Sequence, residues 1–527
     1  MIPELALLPE MLLVTFALAL VVLGFRIKNP ATLWAIAVAG LVASMLVTVD
    51  MMGLSWSRVL GLSLWPVPGA AGSVDLSGMK LNVNGFALLF SFVFQLVALL
   101  TILASRSYLK AEEPNQAEYY GLIFLAIVGM MLVAAATDLL VLYLAFELSS
   151  LSTFALVAFR KHDKRATEAS LKFFVIGAVS SALILFGISL LYLIRGVLDP
   201  TTVTLDLAGI KGMVGSAAVQ TAGLEPPLII ALVFLLAGFG FKVATVPFHM
   251  WAPDVYEGSP TTISTFLAAG SKKVGVAAMF KVFLVALLAV QVDWILAVAA
   301  LAIITQTVGN VLAIPQRNIK RMLAYSSIAQ AGYILTAIVV GSLAMSPDPA
   351  SQNVAYYGVA GGLYHVLTHA FMKAGAFLAV AAAAVLFIGE DLDGWKGLGK
   401  RSPFLALAMG IFMLSLAGIP PFGGFFSKFV LFSGAVFAAD PGIPGGNPWF
   451  LWLAVAGVLN SALSLYYYAR VIRYMYILEP TDPTPVEPPN SMNLPIGIAV
   501  IGVVLSGILA QPLIAYMQGA AQGFLAP

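Results

Sequence analysis

Long apolar runs dominate the pattern of the chain. Charged residues, proline or glycine separate each run of about 20 residues from the next. A helix of about 20 apolar residues crosses the hydrocarbon core of a bilayer, and irregular backbone cannot face lipid. The pattern therefore predicts fourteen transmembrane helices, near residues 5–25, 31–50, 85–105, 118–136, 138–158, 168–194, 227–247, 260–289, 294–314, 322–344, 357–388, 404–437, 449–477 and 493–516.

The order of these runs predicts an all-α polytopic membrane protein. Two longer stretches, 51–84 and 196–226, are not obvious spans, and we expect neither to form an independent domain. The predicted divisions are an N-terminal three-helix segment (1–110), one five-helix unit of spans 4–8 (118–290), a second of spans 9–13 (293–478), and a C-terminal helix (490–527).

Two of the predicted spans contain helix-breaking residues. Pro247 and Pro253 interrupt the seventh span, and the sequence AGIPPFGG interrupts the twelfth at residues 417–424. Each is the fourth helix of its five-helix unit. Transporters built from inverted repeats place broken helices at corresponding positions of their two halves. The pattern therefore predicts two inverted repeats, each with one broken helix.

The composition supports a membrane protein and excludes several kinds of site. Hydrophobic residues make up 61% of the chain and charged residues 10%, with a mean hydropathy of +0.97. Soluble domains are about 45–50% apolar and about 25% charged. The lack of cysteine excludes disulfides, thiolate-bound zinc and cysteine-ligated iron–sulfur clusters. The net charge of +2 gives no reason to expect nucleic acid, so the expected surroundings are the lipid bilayer.

The distribution of lysine and arginine predicts the orientation. Loops after odd-numbered spans hold sixteen of these residues, and loops after even-numbered spans hold four. By the positive-inside rule the odd loops are cytoplasmic, and both termini lie on the non-cytoplasmic side. The first 25 residues lack a basic region and a small-residue cleavage site, so we expect the first span to be retained.

Seven basic residues fall within predicted spans, and all are lysine. An arginine stays charged when it is buried, whereas a lysine can lose its proton. Each lysine at the centre of a span costs about 2.5–3.5 kcal/mol on insertion scales. These residues therefore suggest groups that gain and lose protons, although Lys273 and Lys281 can also be explained by snorkelling or by a place near a span end. The seven are Lys172, Lys242, Lys272, Lys273, Lys281, Lys373 and Lys428.

Glu147 is the acid that lies well inside a predicted span. It follows Asp138 by nine residues, which places it about 13 Å deep. A carboxylate at that depth protonates unless a cation keeps it charged. Lys242 lies at a comparable depth in the seventh span, so we expect these two residues to pair. A static ion pair that only fixes helix packing is the alternative.

Three of the four histidines lie in or beside spans, and His162 lies in a basic loop. His249 follows Lys242 by two helical turns, if that helix is continuous. His365, His369 and Lys373 occur at i, i+4 and i+8, which places them on one helical stripe. Such a stripe is typical of a proton wire. A metal site is the rival interpretation, but it needs a third ligand, so we expect no metal.

Four motifs carry a resemblance to a known family. They are ALLPEMLL (6–13), PDVYEGSPTTISTFLAAGSKKVGVAA (253–278), QRNIKRMLAYSSIAQAGY (316–333) and GLGKRSPFLALAMGIFMLSLAGIPPFGGFFSKF (397–429). The chain resembles the antiporter-like membrane subunits of respiratory complex I, the proton-pumping NADH:quinone oxidoreductase, and subunit N in particular. The resemblance extends from the first span to the thirteenth.

The resemblance implies a fourteen-helix core and specific roles for the buried residues. Glu147 would pair with Lys242, and Lys272 would be the central relay. Lys428 would control proton release to the far side, and Lys172 would match the modulating lysine of the family. The resemblance also implies neighbouring antiporter-like subunits as partners, and FMN, iron–sulfur clusters and quinone in other subunits, with no cofactor in this chain.

One feature favours an alternative within the same group. The stripe of His365, His369 and Lys373 is similar to subunit L, and to the large subunits of multi-subunit Na⁺/H⁺ antiporters. Against subunit L, the sequence ends soon after span 14 and leaves no length for a long lateral helix. Against subunit M, the twelfth span carries Lys428 where that subunit resembles a glutamate carrier. The Na⁺/H⁺ antiporter subunit therefore stays open as the second interpretation.

The expected function is proton translocation by a membrane subunit of a complex I-type translocase, in a bacterial inner membrane. Electron transfer would occur in partner subunits, and the donor, the choice of H⁺ or Na⁺ and the place of proton release stay open. A stand-alone solute transporter is a rival class, but the sequence has no obvious ligand-binding polar cluster. A purely structural module is another, and it does not account for seven lysines within spans.

Overall fold

The apolar runs fold into membrane-spanning helices, as expected from their length. The computed structural model describes residues 3–27, 29–53, 73–76, 79–109, 113, 115–201, 204–480 and 482–525. In the first half of the chain the helices are α1 (Leu8–Gly24), α2 (Pro30–Met51), α3 (Gly85–Tyr108), α4 (Gln116–Ala135), α5 (Leu139–Val157), α6 (Lys164–Leu198), α7 (Leu207–Val214), α8 (Ala217–Thr221), α9 (Glu225–Val243), α10 (Trp251–Gly258), α11 (Thr261–Phe266) and α12 (Lys272–Lys281).

The second half continues with one long central helix and another broken span. Its helices are α13 (Gln291–Ala313), α14 (Ile319–Gly341), α15 (Pro349–Val385), α16 (Leu398–Arg401), α17 (Pro403–Ala417), α18 (Gly423–Ala438), α19 (Leu451–Tyr476), α20 (Asn490–Ile508) and α21 (Ala510–Leu525). Among the described residues, twelve helices are long and apolar enough to cross a membrane. The eighth and twelfth predicted spans are the other two, and both are built from shorter segments. The polytopic all-α prediction is therefore confirmed, and the division into two repeats stays a prediction.

The two stretches that were not assigned as spans contain small elements. Strands β1 (Ser73–Leu76) and β2 (Met79–Asn82) form an antiparallel hairpin in the first stretch, with Asp75 opposite Lys80. Helices α7 and α8 lie in the second. Residues 54–72 of the first stretch lie outside the described residues, as do Lys28, Arg58 and Lys110, on which the predicted orientation partly rests.

The seventh span is broken between α9 and α10. Ala244 adopts a left-handed conformation (φ 57°), and the N–H of Thr245 donates to the carbonyl of Gly240, which closes the helix end. Pro247 lies in the break, but Pro253 lies within the first turns of α10, so only the first proline interrupts the span. His249 lies in the break as well. The helix is therefore not continuous from Lys242 to His249, and the two residues do not share one helical face.

The twelfth span is broken between α17 and α18 in a similar way. Gly418 has a φ of +90°, and the N–H of Ile419 donates to the carbonyl of Leu414. The two half-helices then approach closely. A Cβ atom on Gly424 would lie 1.9 Å from the carbonyl oxygen of Ser415, so only glycine fits at this position. Because four spans lie between the two broken helices, they cross the membrane in opposite directions.

The eighth span and α15 form the centre of the bundle. In the eighth span, π-helical segments at Leu267–Ser271 and Val282–Ala286 flank α12. Such segments occur frequently at functional sites, because they rotate the following side chains relative to a regular helix. Residues 259–284 are buried throughout, and α15 is buried over most of its length. These two spans carry four of the nine predicted site residues.

Candidate functional site

Most of the predicted site residues are buried, as their proposed roles require. The buried members are Lys242, Lys272, His365, His369, Lys373 and Lys428. Glu147 and His249 are half-buried, and Lys172 is exposed. The assigned roles of all nine stay predictions.

Lys242 occupies the last turn of α9, directly before the first break. Its Nζ donates a hydrogen bond to Ser150 Oγ at 3.0 Å. The rings of Phe146 and Phe173 lie 5.4 and 5.8 Å from the same nitrogen. Aromatic faces at this distance attract a cation, so the pocket can hold the charged amine without a direct ion pair.

Glu147 does not pair directly with Lys242. In the described structure no ion pair within 4.0 Å joins these two residues, although the carboxylate still interacts electrostatically with the amine. The Glu147 carboxylate accepts a short hydrogen bond from Ser181 on α6. Ser150, one turn further along α5, takes its place beside Lys242. The predicted pair is therefore not a direct ion pair, because each charged group bonds to a serine, and the two interact only through space.

Lys172 lies at the surface and not inside the lipid-spanning core. Helix α6 begins at Lys164, so Lys172 lies only two turns from its start. Its Nζ forms ion pairs with Glu168 at 2.9 Å and with Asp254 at 3.0 Å. The prediction of a buried amine is wrong at this position, because Lys172 is exposed and forms ion pairs with two carboxylates.

Lys320 is one of the sixteen basic residues that the charge distribution assigns to cytoplasmic loops, but it does not lie in a loop. Lys320 lies in the first turn of α14 and is buried. Its Nζ donates to the carbonyl oxygens of Glu257 at 2.8 Å and Ser259 at 2.9 Å, and pairs with Glu390 at 3.1 Å. Lys320 therefore binds the C-terminal end of α10, the second half of the broken seventh span.

The adjacent lysines of the eighth span have different surroundings. The Nζ of Lys272 has no hydrogen-bond partner among the described residues and lies 5.8 Å from the ring of Tyr256. The Nζ of Lys273 donates to the carbonyl of Ala268 at 3.0 Å and lies 2.5 Å from Nδ1 of His369. From the sequence, snorkelling or a place near a span end explains Lys273 as well as a functional role does. The structure brings it into direct contact with the predicted histidine stripe.

His365 continues the stripe toward the second break. Its Nε2 donates to Gln330 Oε1 at 2.9 Å, and its Nδ1 lies 3.0 Å from Ser427 Oγ on α18. The ring centroids of His365 and His369 lie 6.0 Å apart, which is too far for a direct hydrogen bond between the rings. At the other end of the stripe, Lys373 donates to Ser326 Oγ at 2.8 Å.

Lys428 is the last of these buried residues and lies at the second helix break. Its Nζ donates to the carbonyl oxygens of Leu416 at 2.8 Å and Ala417 at 3.3 Å, and to Ser461 Oγ at 2.9 Å. The Gln330 amide also donates to the Leu416 carbonyl, at 3.4 Å. A hydrogen-bonded connection thus runs from His365 through Gln330 and one backbone carbonyl to Lys428. Within the described residues, no three acidic or histidine side chains converge as a metal site.

The comparisons with known proteins assign the chain to a family. Residues 136–456 match the family described as NADH:quinone oxidoreductase/Mrp antiporter, TM. The chain belongs to this family of antiporter-like membrane subunits. It is 41% identical over 518 residues to F(420)H(2) dehydrogenase subunit N of Methanosarcina mazei, with 96% of each chain covered. It is 40% identical over 476 residues to NADH-quinone oxidoreductase subunit N of Trichlorobacter lovleyi, covering 89% of this antiporter-like subunit and 90% of the relative.

Solved structures show the same fold. Respiratory complex I of Thermus thermophilus contains a chain that is 28% identical, with a TM-score of 0.73 and 96% and 98% of the two chains covered. The Mrp complex of Dietzia contains a chain that is 20% identical, with a TM-score of 0.80 and 99% and 98% covered. That second likeness shows the fold alone. The subunit N relatives favour the oxidoreductase branch of the family over the antiporter branch.

Proposed function

We propose that this antiporter-like subunit is subunit N of a complex I-type oxidoreductase and translocates protons through its buried lysines and histidines. It would lie in a bacterial inner membrane with both termini on the non-cytoplasmic side. Its partners would be the other membrane subunits, including neighbouring antiporter-like ones. FMN, iron–sulfur clusters and quinone would reside in partner subunits.

The observation that carries the proposal is the contact between Lys273 and His369. These groups lie 2.5 Å apart in the buried centre and join the eighth span to α15. Two positive charges at this distance in a low-dielectric site repel strongly, so the pair holds one excess proton at most. A proton that arrives at one side of the pair favours release at the other. A static packing contact would not require two titratable groups here.

The other predicted site residues connect the pair of Lys273 and His369 to both helix breaks in the proposed route. In the proposed order, protons enter near His249, reach Lys242 and pass through Lys272 to the central pair. From there they pass through His365 to Lys428. Broken helices leave room for water and free backbone carbonyls, which allows proton exchange at both ends.

Three further groups would tune this route. Glu147 would stabilise the protonated form of Lys242 through space, and Lys373 would hold a proton beside the stripe. Lys172 would act on the first break indirectly, because its partner Asp254 belongs to α10. Moving one charge against 100 mV requires about 2.3 kcal/mol, which a shift of about two pKa units supplies.

The electron donor would be set outside this chain. One relative at 41% identity is named for F(420)H(2), and another at 40% identity is named for NADH. Similar subunits thus occur beside different donors, as expected if this chain supplies only the proton pathway. We propose NADH as the donor, in line with the several relatives that carry that name.

The test is a substitution of Lys242 in the intact complex. Lys242→Met should abolish most proton pumping in sealed vesicles while the complex still assembles, because no amine remains at the first break. Lys400→Met is the matched control, since Lys400 lies exposed beside Glu479. Normal pumping by an assembled Lys242→Met complex would overturn the proposal.

A further inference from the structure

A large cavity connects one surface of the subunit to a buried amine. Its volume is about 870 Å³, and Lys80, Asp206 and Lys211 line it near the surface. Lys281, the last residue of α12, lines it on the inside. This surface belongs to loops that follow even-numbered spans, which the charge distribution predicts to be non-cytoplasmic. The cavity is large enough to hold many water molecules, since each occupies about 30 Å³ in the liquid.

The Lys281 amine is buried but has unused hydrogen-bonding capacity. The residue is 3% exposed, and its Nζ donates to the carbonyl of Ala136 at 2.8 Å. An ammonium group has three N–H donors, and among the described residues Ala136 supplies its one hydrogen-bond acceptor. Asn82 and Thr137 line the same cavity and can hold water within reach of the amine. Water in the cavity can therefore accept the hydrogen bonds of the Lys281 amine that the surrounding protein leaves unmade.

The acceptor beside Lys281 is held in a fixed position. Ala136 ends α4, and it pairs with Leu81 of the hairpin through an isolated bridge. Thr137 donates two hydrogen bonds to the carbonyl of Lys80, which ties the hairpin to the same point. The C-terminal end of a helix carries a partial negative charge that stabilises an ammonium group. Lys281 can therefore hold a proton at this depth without a carboxylate partner.

A charged carboxylate stands at the mouth of the cavity. Burial acts to raise the pKa of Asp206, but hydrogen bonds from Thr204 and from the N–H of Gly209, together with nearby Lys80 and Arg195, hold that pKa below its usual range. The two hydrogen bonds are both 2.7 Å long. Asp206 is therefore ionised at neutral pH, and its negative charge attracts cations, including hydrated protons, to the mouth of the cavity.

Resting on the proposed function, we propose that Lys281 is a further proton-carrying residue that gives the eighth span its own access to the surface of Lys80, Asp206 and Lys211. Lys281 follows Lys273 by eight residues, which is about 12 Å along a helix. Their angular separation in a regular helix is about 80°, so the two amines lie about two turns apart and point in neighbouring directions. Water between them would let a proton move between the central pair and the cavity without passing through the second break.

Cysteine accessibility tests the path, because the chain has no native cysteine. In the assembled complex in oriented vesicles, Lys281→Cys should react with a membrane-impermeant quaternary-ammonium thiosulfonate added from the side of Asp206, and not from the other side. Lys211→Cys is the positive control, since Lys211 lines the cavity near its mouth. Lys273→Cys, which is buried against His369, is the negative control.

Chemical rescue tests the proton-carrying role. Lys281→Cys should lose part of the proton yield per electron pair, and alkylation with 2-bromoethylamine, which rebuilds a lysine-like amine, should restore it. The quaternary-ammonium adduct should not restore it, because that charge cannot release a proton. Equal rescue by both adducts would reduce Lys281 to a fixed charge that only caps α4, and an unmodified or fully active Lys281→Cys would overturn the proposal.

The two proposals fail in different ways. If Lys242→Met stops pumping but Lys281→Cys does not, proton translocation stands and the cavity path falls. If neither change affects pumping in assembled complexes, the proposed function itself falls. Lys281→Arg, which keeps the charge and holds its proton, serves as a second variant if the cysteine variant assembles poorly.

Discussion

The ammonium group of Lys428 binds the carbonyl oxygen of Leu416 across the break in its own span, at 2.8 Å. The last carbonyls of a helix have no partner within the helix, and in a membrane they cannot turn to bulk water. Lys428 supplies that partner from the other half-helix. The first break differs, because Lys242 precedes it and the indole N–H of Trp251 donates to the carbonyl of Phe241 at 2.9 Å.

This arrangement predicts that Lys428 both stabilises the broken helix and takes part in proton transfer. Lys428→Met should lower the thermal midpoint of the complex, because the buried carbonyls of Leu416 and Ala417 each lose one hydrogen bond and keep only those from Gln330 and Ser461. Each lost bond should cost about 0.5–1.5 kcal/mol. Lys428→Arg should recover the midpoint without recovering proton pumping, since a guanidinium group keeps its proton. Thermal unfolding and vesicle pumping would be measured on the same preparations. Full pumping by Lys428→Arg would contradict the expected role in proton transfer.

The contact between Lys273 and His369 gives a second prediction. Lys273→Met and His369→Gln should each lower the number of protons pumped per electron pair. The double variant should lower this number no further than the more severe single variant does. Residues that act as one unit lose their shared contribution once, whereas independent sites add their losses. His162→Gln is the control for histidine loss, because His162 is exposed. Additive losses would show that the 2.5 Å contact is not the unit of transfer.

The span pattern was predictable from the sequence because it depends on local properties. The length of an apolar run determines whether it crosses the bilayer, and proline and glycine mark where a helix ends. Pro247 and Gly418 therefore located both breaks. The count of basic residues left inside apolar runs located Lys242 and Lys428 beside them. None of these inferences needs the packing of one helix against another.

Side-chain partners were harder to predict, because they depend on how each helix is rotated. Lys272 and Lys273 are adjacent and point about 100° apart, so the sequence does not tell which one meets His369. The π-helical segment before them changes that rotation further. Depth in the membrane and the family resemblance both predict a pair of Glu147 and Lys242, and the serines that bond to them instead leave no signal in the hydropathy pattern.

Lys320 shows a different kind of error. A charged residue next to Arg317 and Arg321 looks like part of a cytoplasmic loop, and the positive-inside count treated it so. Its buried position follows from a tertiary contact, because the end of α10 needs a cation for its free carbonyls. The QRNIKRM motif carried this residue into the family resemblance, but the resemblance assigned it no role.

The last prediction compares Lys320 with its neighbour Arg321. The side chain of Lys320 is 3% exposed and that of Arg321 is 32% exposed, although both bind α10. Lys320→Met should therefore lower the thermal midpoint more than Arg321→Met, because the carbonyls of Glu257 and Ser259 lose their ammonium donor. Glu390 also loses its cation and keeps only the hydrogen bond from Asn318. Amide hydrogen exchange should also rise in residues 251–258, since the second half of the broken span loses its anchor. Lys400→Met, at an exposed ion pair, should change neither quantity. If both variants at 320 and 321 behave alike, burial of Lys320 is not what holds α10 in place.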